Sequence, residues 1–319
     1  MTASNGPNGI KTPDFPPGVQ RLPATAPPEH FIALLKRDGG VIAENFVPLE
    51  VIDKCNADIK PKLDAEQRWN GDFFPKETRK CTSLIANSTT YTTELLMHPL
   101  YQAICDHFLT TRNSFWWGDK WKESVSKPQA HTGAAMYIGP GAKAQPLHRD
   151  DYLHHNVHTE VPAPWDDERD KNRESAVGLF VAGTNTNKAN GATRFIPGSH
   201  LWGNYERKSP PDESKTVHAE LNKGDAFFMF ASCFHGGSAN TTTDSYRLVY
   251  STFVTRGWLR QEDNMYLAIP RDVLMRYPRH IQRFIGYSCS DPGCGLVDDL
   301  DPMYTLYPEE LKTAVPTDY

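Results

Sequence analysis

AQPLHRDD, Ala144 to Asp151, is the stretch from which the fold and the chemistry of this chain are read. It has the pattern of the end of a β-strand. In an extended strand alternate side chains share a face, so the imidazole of His148 and the carboxylate of Asp150 point at the same place. One more histidine from a distant part of the chain would complete a 2-His-1-carboxylate set, which leaves one side of a bound iron open. His-x-Asp alone also describes a surface histidine beside a turn aspartate, and the surrounding chain has to separate the two readings.

Outward from this stretch, short apolar runs alternate with Gly, Pro and Asn: AAMYIG (134–139), AVGLFVAG (176–183), TRFIPGSH (193–200), DAFFMFASCFH (225–235) and YRLVYSTFV (246–254). Several short strands separated by turn signals predict a mainly β fold with flanking helices, a double-stranded β-helix of the jelly-roll type over about 130–256. The metal pair lies inside it. Upstream, Phe31, Leu34 and Leu35 stand at helical spacing before Gly39 and Gly40, and Val51, Ile52, Cys55, Ile59 and Leu63 form a second stripe. TELLMHPLYQAICDHFL carries Pro99 near its middle, which predicts two consecutive helices. Residues 29–115 are therefore a helical lead-in to a single domain that spans 29–319, with short helices and an irregular tail over 257–319. The first 28 residues hold seven prolines and read as an extended or disordered arm.

With 319 residues, 39% hydrophobic and 11% aromatic, the chain suffices for one domain with a real core. Its net charge of −5, with acids and bases interspersed, offers no basic stripe for nucleic acid. No apolar run approaches the ~20 residues needed to cross a bilayer. The six cysteines include no C-x-x-C pair, and without a targeting pattern the expectation is a cytoplasmic protein with free thiols; Cys289 and Cys294 are close enough to cross-link if exposed.

Two histidines compete for the third ligand position, His200 in FIPGSH and His235 in FMFASCFHGG. His235 ends an apolar strand and is followed by a loop and the strand that begins at Arg247. An arginine on the strand paired with the ligand strand can form a bidentate salt bridge to a dicarboxylate whose other end chelates the metal. His200 follows Pro197 and Gly198, a turn signal. The long charged insertion from Tyr152 to Glu174 carries His154, His155 and His158 and reads as a loop over the mouth of the site. Trp116, Trp117, Phe73 and Phe74 are candidates to line an apolar pocket, against the plainer reading that they are core. Asp151 orients a ligand or is a surface residue.

AQPLHRDD, NGATRFIPGSH (Asn190 to His200), FHGGSANTT (Phe234 to Thr242) and Tyr246-Arg247 follow one another in an order that resembles the phytanoyl-CoA dioxygenase family of iron(II)- and 2-oxoglutarate-dependent oxygenases, in particular its fungal branch that tailors natural products. The resemblance covers roughly Glu29 to Pro302. It implies that His148, Asp150 and His235 hold iron(II), that Arg247 takes the distal carboxylate of 2-oxoglutarate, and that Thr193 and Gln145 add polar contacts to it. Gln145 lies three residues before His148, on the opposite face of an ideal strand, so its inward reach requires a bulge or a bend at Pro146. Asp150 speaks against a halogenating relative, in which a small residue stands at that position.

The resemblance further implies that O2 and 2-oxoglutarate are consumed and that a small apolar substrate, such as a terpenoid, meroterpenoid or alkaloid, is hydroxylated, desaturated, epoxidised or rearranged. It also implies a homodimer in which the C-terminal segment reaches the neighbouring subunit. A rival substrate is an acyl-CoA or a primary metabolite, although the run Asp119 to Lys127 is too mixed in sign to form a basic groove. Rivals of another class are a non-catalytic jelly-roll binding module and a metal-dependent isomerase.

Overall fold

Period-2 runs bury one face each and need a second sheet or a helix layer to cover it. In the computed structural model, which describes residues 19–65, 77–161, 164–204 and 210–313, both are present. The lead-in comprises β1 (Arg21–Pro23), α1 (Pro28–Asp38), β2 (Gly40–Glu44), α2 (Leu49–Ala65), β3 (Thr78–Cys81), α3 (Leu84–Asn87), a π-helical turn at Tyr91–Leu96, α4 (Pro99–Leu109) and the hairpin β4 (Thr111–Trp117) and β5 (Lys120–Ser126). There follow β6 (Gln129–Ile138), α5 (Asp167–Asp170), β7 (Ala176–Ala182), β8 (Thr193–Phe195), β9 (Val217–Ala219), β10 (Ala226–Phe230), β11 (His235–Gly237) and β12 (Arg247–Thr255). Four short helices close the described chain, α6 (Met265–Ala268), α7 (Arg271–Leu274), α8 (Arg279–Ile285) and α9 (Met303–Leu306).

A seven-stranded sheet of order β1-β2-β10-β7-β12-β6-β3 and a three-stranded sheet of order β11-β8-β9 make the jelly roll, an open sandwich rather than a closed barrel. Alternation along β12 assigns its two faces. Arg247, Ser251 and Phe253 line the cavity between the sheets, whereas Tyr250 and Thr252 face the helices, where the Tyr250 hydroxyl donates to Asn56 Oδ1 (2.9 Å) and Thr252 Oγ1 lies 2.8 Å from the Tyr91 hydroxyl. Gly178, opposite Phe253 in the ladder, is the price of that ring: a Cβ there would stand 2.7 Å from it. On the helix side Phe31, Tyr101 and Phe228 are wholly buried, with Tyr101 donating to Val177 O at 2.8 Å. Each such side chain contributes about 1.5–3 kcal/mol of burial free energy.

The expected helices are present. α1 stops at Gly39, which is left-handed (φ 76°), and α4 starts on Pro99 at its first turn. Other expectations need correction. The arm is not unstructured up to residue 28, because Arg21–Pro23 pairs in parallel with β2 and Pro28 opens α1; its earlier residues lie outside the described ones, as do Phe73 and Phe74. His235 does not end the apolar strand: Cys233 N donates to Phe230 O, turning the chain so that His235 begins a strand of the other sheet. Arg247 consequently sits on a strand paired with β6 and β7, across the sandwich from β11. Trp116 and Trp117 are exposed on the β4–β5 hairpin and are not among the residues that line the cavity between the sheets. The six cysteines are free, as expected. The C-terminal helices pack on their own chain, with the Tyr277 hydroxyl donating to Ile85 O at 2.6 Å. No helix among the described residues is long and apolar enough to cross a membrane.

Candidate metal centre

His148 is not in a regular strand; it forms a two-residue bridge to His235, each backbone N–H donating to the other's carbonyl at 2.9 Å. The next ladder position falls on Pro146, which has no N–H, and Gln145 takes over by donating to Gly237 O. This is the bulge that Gln145 needed, and it turns the Gln145 side chain into the cavity, where its Oε1 accepts from Gly237 N at 2.8 Å. The close approach depends on both glycines: a Cβ on Gly236 would stand 3.1 Å from Pro146 O, and one on Gly237 would stand 3.0 Å from Gln145 Oε1. Asp150 follows at the start of a 3-10 turn (Asp150–His154), its N–H on Ala231 O.

These backbone contacts bring one donor atom from each of His148, Asp150 and His235 within 4.8 Å of one another. Asp150 Oδ1 is 3.4 Å from His148 Nε2, and Oδ2 is 3.2 Å from His235 Nε2. Each imidazole is oriented from behind, His148 Nδ1 by Pro146 O (2.8 Å) and His235 Nδ1 by Cys233 O (3.1 Å). A carbonyl accepts only, so Nδ1 carries the proton and the Nε2 lone pair is left for a metal. Burial by itself would raise the Asp150 carboxyl, but His235 and His148 outweigh it and hold it below the usual carboxylate range. An N2O set with one anion suits a divalent first-row ion with open positions.

Two arginines fasten the ligand segments from outside the cavity. Arg194 donates to Gly237 O (2.6 Å) and Gln145 O (2.8 Å) and pairs with Glu213 (2.9 Å). Arg149, between two of the donor residues, donates to Ser199 O (2.8 Å) and Trp202 O (3.1 Å) and covers the Phe234 ring at 4.2 Å. Hydrogen bonds from a charged donor are worth about 1.5–3 kcal/mol each, so these clamps are stiff.

The three donors open into a cavity of about 270 Å³. Arg247 lies at one end, 2% exposed, with one N–H on Gly191 O and its buried Nε without a partner. Burial alone pushes it down to about 10, which leaves it charged at neutral pH with no carboxylate beside it among the described residues. An uncompensated buried guanidinium is costly unless an anion is meant to join it. Thr193, Gln145 and Ser251 line the same cavity. Ser251 escaped the sequence reading, although a lone polar residue at period 2 from Arg247 was a usable signal. His131 and Glu262 also line it, and neither belongs to a motif.

The rejected candidates have other work. His200 is fully buried behind the sheet, with Nε2 at 3.2 Å from Lys36 O and its ring against Phe230. Asp151 is neither a surface residue nor a partner of a ligand: its Oδ2 pairs with buried His158 Nε2 at 2.5 Å and accepts from Asn156 (3.1 Å), which ties down the loop after the metal segment. With His154 Nδ1 on Ser175 Oγ, His154 and His158 serve the structure of the loop, and no second metal-capable group is found among the described residues.

An open jelly roll with a candidate one-carboxylate metal site at its cavity is an arrangement that suits a metal-dependent oxygenase. The model of the phytanoyl-CoA dioxygenase family matches residues 35–249, and the chain belongs to that family. It is 38% identical over 301 residues to the dioxygenase himG of Aspergillus japonicus, covering 91% of each chain, and 37% identical over 293 residues to the dioxygenase peniF of Penicillium patulum, covering 91% of this chain and 92% of that one. Among solved structures it shares its fold with the epimerase SnoN in complex with Fe3+, alpha ketoglutarate and nogalamycin RO (TM-score 0.53, 18% identity, 75% of this chain and 88% of that one). The chain is a dioxygenase. Iron(II) and 2-oxoglutarate fit what it offers, the N2O donor set for the one and the uncompensated Arg247 for a carboxylate of the other.

Proposed function

We propose that this dioxygenase oxidises a small natural product of fungal secondary metabolism, with His148, Asp150 and His235 holding iron(II) and Arg247 receiving the distal carboxylate of 2-oxoglutarate. The observation that carries the reading is the buried Arg247 guanidinium, whose Nε has no partner, in the same cavity as the donor triad. When bound, iron and 2-oxoglutarate supply the oxidant from O2, with succinate and CO2 as co-products. The chain's own residues provide position. Thr193 and the Gln145 amide NH2 give polar contacts to the co-substrate, since the Gln145 carbonyl is committed to Gly237 N. Phe180, Phe253 and Leu153 exclude water and hold an apolar substrate so that one C–H bond faces the metal. Hydroxylation is the expected outcome, and desaturation, epoxidation or rearrangement follow where positioning directs it.

An acyl-CoA substrate fits less well, because Arg247 is the one lysine or arginine among the described lining residues and it lies at the buried end. The cytoplasm as location and a homodimer remain part of this reading; light scattering at micromolar concentration tests the latter, and an active monomer removes it. The test of the whole is spectroscopic. Anaerobic protein loaded with iron(II) should develop a weak visible charge-transfer band on adding 2-oxoglutarate, and substrate should then release succinate in air. Iron bound at unit stoichiometry with no band at any 2-oxoglutarate concentration would sink it.

A further inference from the structure

The cavity has a second polar end. β12 runs antiparallel to β6 with Arg247 opposite Ile138 and Phe253 opposite Thr132, a separation of six residues or about 20 Å along the strand. Between them, Ser251 pairs with Phe180, whose ring lies 6.1 Å from that of His235, so the metal donors stand over the middle. Beyond Thr132 the wall is made by His131 and by Glu262, from the link between β12 and α6.

That link is fastened residue by residue to β6. Gln261 Nε2 donates to Ala130 O (2.6 Å), Asp263 N donates to His131 O (3.2 Å), and Asp263 Oδ2 accepts from Gly133 N (3.3 Å). Glu262 itself donates its backbone N–H to His131 Nδ1 (3.0 Å). His131 therefore carries its proton on Nε2, which lies 3.8 Å from Glu262 Oε2, beyond hydrogen-bond reach, so His131 positions Glu262 through its backbone and leaves the carboxylate unneutralised. No lysine or arginine lines this half of the cavity among the described residues. Iron(II), 2-oxoglutarate, Asp150 and Arg247 balance one another in charge and Asp151 is paired with His158, so a cation entering this end would meet the Glu262 carboxyl.

We propose that Glu262, oriented by His131, is a recognition subsite for a protonated amine on the substrate, placed opposite Arg247 so that an ion pair at one end fixes which C–H bond lies over the metal donors. The inference rests on the cofactor reading above and adds the substrate's charge class to it. The Glu262 side chain is about half exposed at the cavity mouth. Partial burial, with Asp263 and Asp150 adding to it, pushes its carboxyl up to about 7, so it is part-protonated at neutral pH and an ammonium beside it would draw it into the ionised form. Phe253, Phe180 and Leu153 give the apolar body its bed.

The experiment uses three matched probes, cyclohexylamine, cyclohexanol and methoxycyclohexane, on the full chain at neutral pH. Two readouts are taken: the shift of the 2-oxoglutarate band in anaerobic iron(II)-loaded protein, and thermal stabilisation with and without iron. Cyclohexylammonium should act at about tenfold lower concentration than either neutral probe, an advantage of the size one ion pair gives. Glu262→Gln should abolish that preference while iron content and the band in the absence of probe persist, and Glu262→Asp, which keeps the charge, should retain part of it. Equal action of the three probes on the unsubstituted protein, no action by any, or an undiminished preference in Glu262→Gln overturns the proposal. A missing band would instead count against the cofactor reading, and the thermal series without iron would still decide the amine subsite.

Discussion

Replacing Arg247 by methionine separates a residue kept for its ligand from one kept for the fold. The Arg247 guanidinium is buried, holds one carbonyl, and leaves Nε unpaired. Methionine removes that hydrogen bond, worth about 1.5–3 kcal/mol for a charged donor, and also removes the cost of burying an unpaired cation, which is of similar or greater size. The two nearly cancel, so the melting temperature of the variant should stay within a few degrees of the parent or rise. The co-substrate has no such compensation. Losing a buried charge-assisted contact of about 3 kcal/mol raises the 2-oxoglutarate concentration needed for half-saturation by roughly 100-fold. The assay pairs titration of the charge-transfer band with thermal unfolding at zero and saturating 2-oxoglutarate; the parent should gain stability by mass action and the variant should gain it only at far higher concentration. A variant that binds 2-oxoglutarate like the parent, or that unfolds far below it in the absence of ligand, refutes the assignment.

His235→Ala should lose stoichiometric iron and the band together, whereas His200→Ala should keep both and lose some stability, since His200 is wholly buried but far from the donors; iron analysis of the two variants decides. Arg149→Lys should cost about 2–3 kcal/mol in urea unfolding and loosen iron, because one ammonium cannot span Ser199 O, Trp202 O and the Phe234 ring; unchanged stability would show the clamp to be idle. Burial raises the Glu174 carboxyl to about 8, against the Ser232 hydrogen bond that lowers it. A folded value above the unfolded one means stability present below about pH 4.5 and lost as pH climbs through 8. Glu174→Gln should therefore gain on the parent in urea midpoint between pH 5 and pH 8, and a gap that does not widen with pH rules this out.

The fold was legible where side-chain periodicity is enforced by burial. The runs at 134–139, 176–183 and 246–254 became β6, β7 and β12, and Gly39 and Pro99 set helix boundaries, because backbone restrictions at Gly and Pro act within a residue or two. What periodicity cannot carry is partner choice. β9 and β1 are three-residue strands, too short for any pattern, and exist because β8 and β2 offer them an edge. The same limit explains why Arg247 lies across the sandwich from His235: alternation marks its strand, but which sheet His235 joins depends on the Phe230-to-Cys233 turn, a hydrogen bond no alternation records.

The site divides in the same way. His148 and Asp150 were visible because two ligands lie within one extended segment, and His235 because the strand before it and the glycines after it form a local pattern. On an ideal strand Gln145 would face away from the donors, and Pro146 supplies the irregularity by withholding an N–H from Gly237. His131 and Glu262 had no such trace: they are 131 residues apart and meet through a backbone N–H to imidazole bond. Coordination chemistry demands fixed donor types at close quarters and so leaves motifs, whereas a substrate subsite needs only one charge held at the right depth. It can be supplied by whatever link passes the mouth, here the connection from β12 to α6. If that is the division of labour, changing Glu262 should alter which molecules are accepted while leaving metal and co-substrate binding intact, and changing Arg247 should do the reverse.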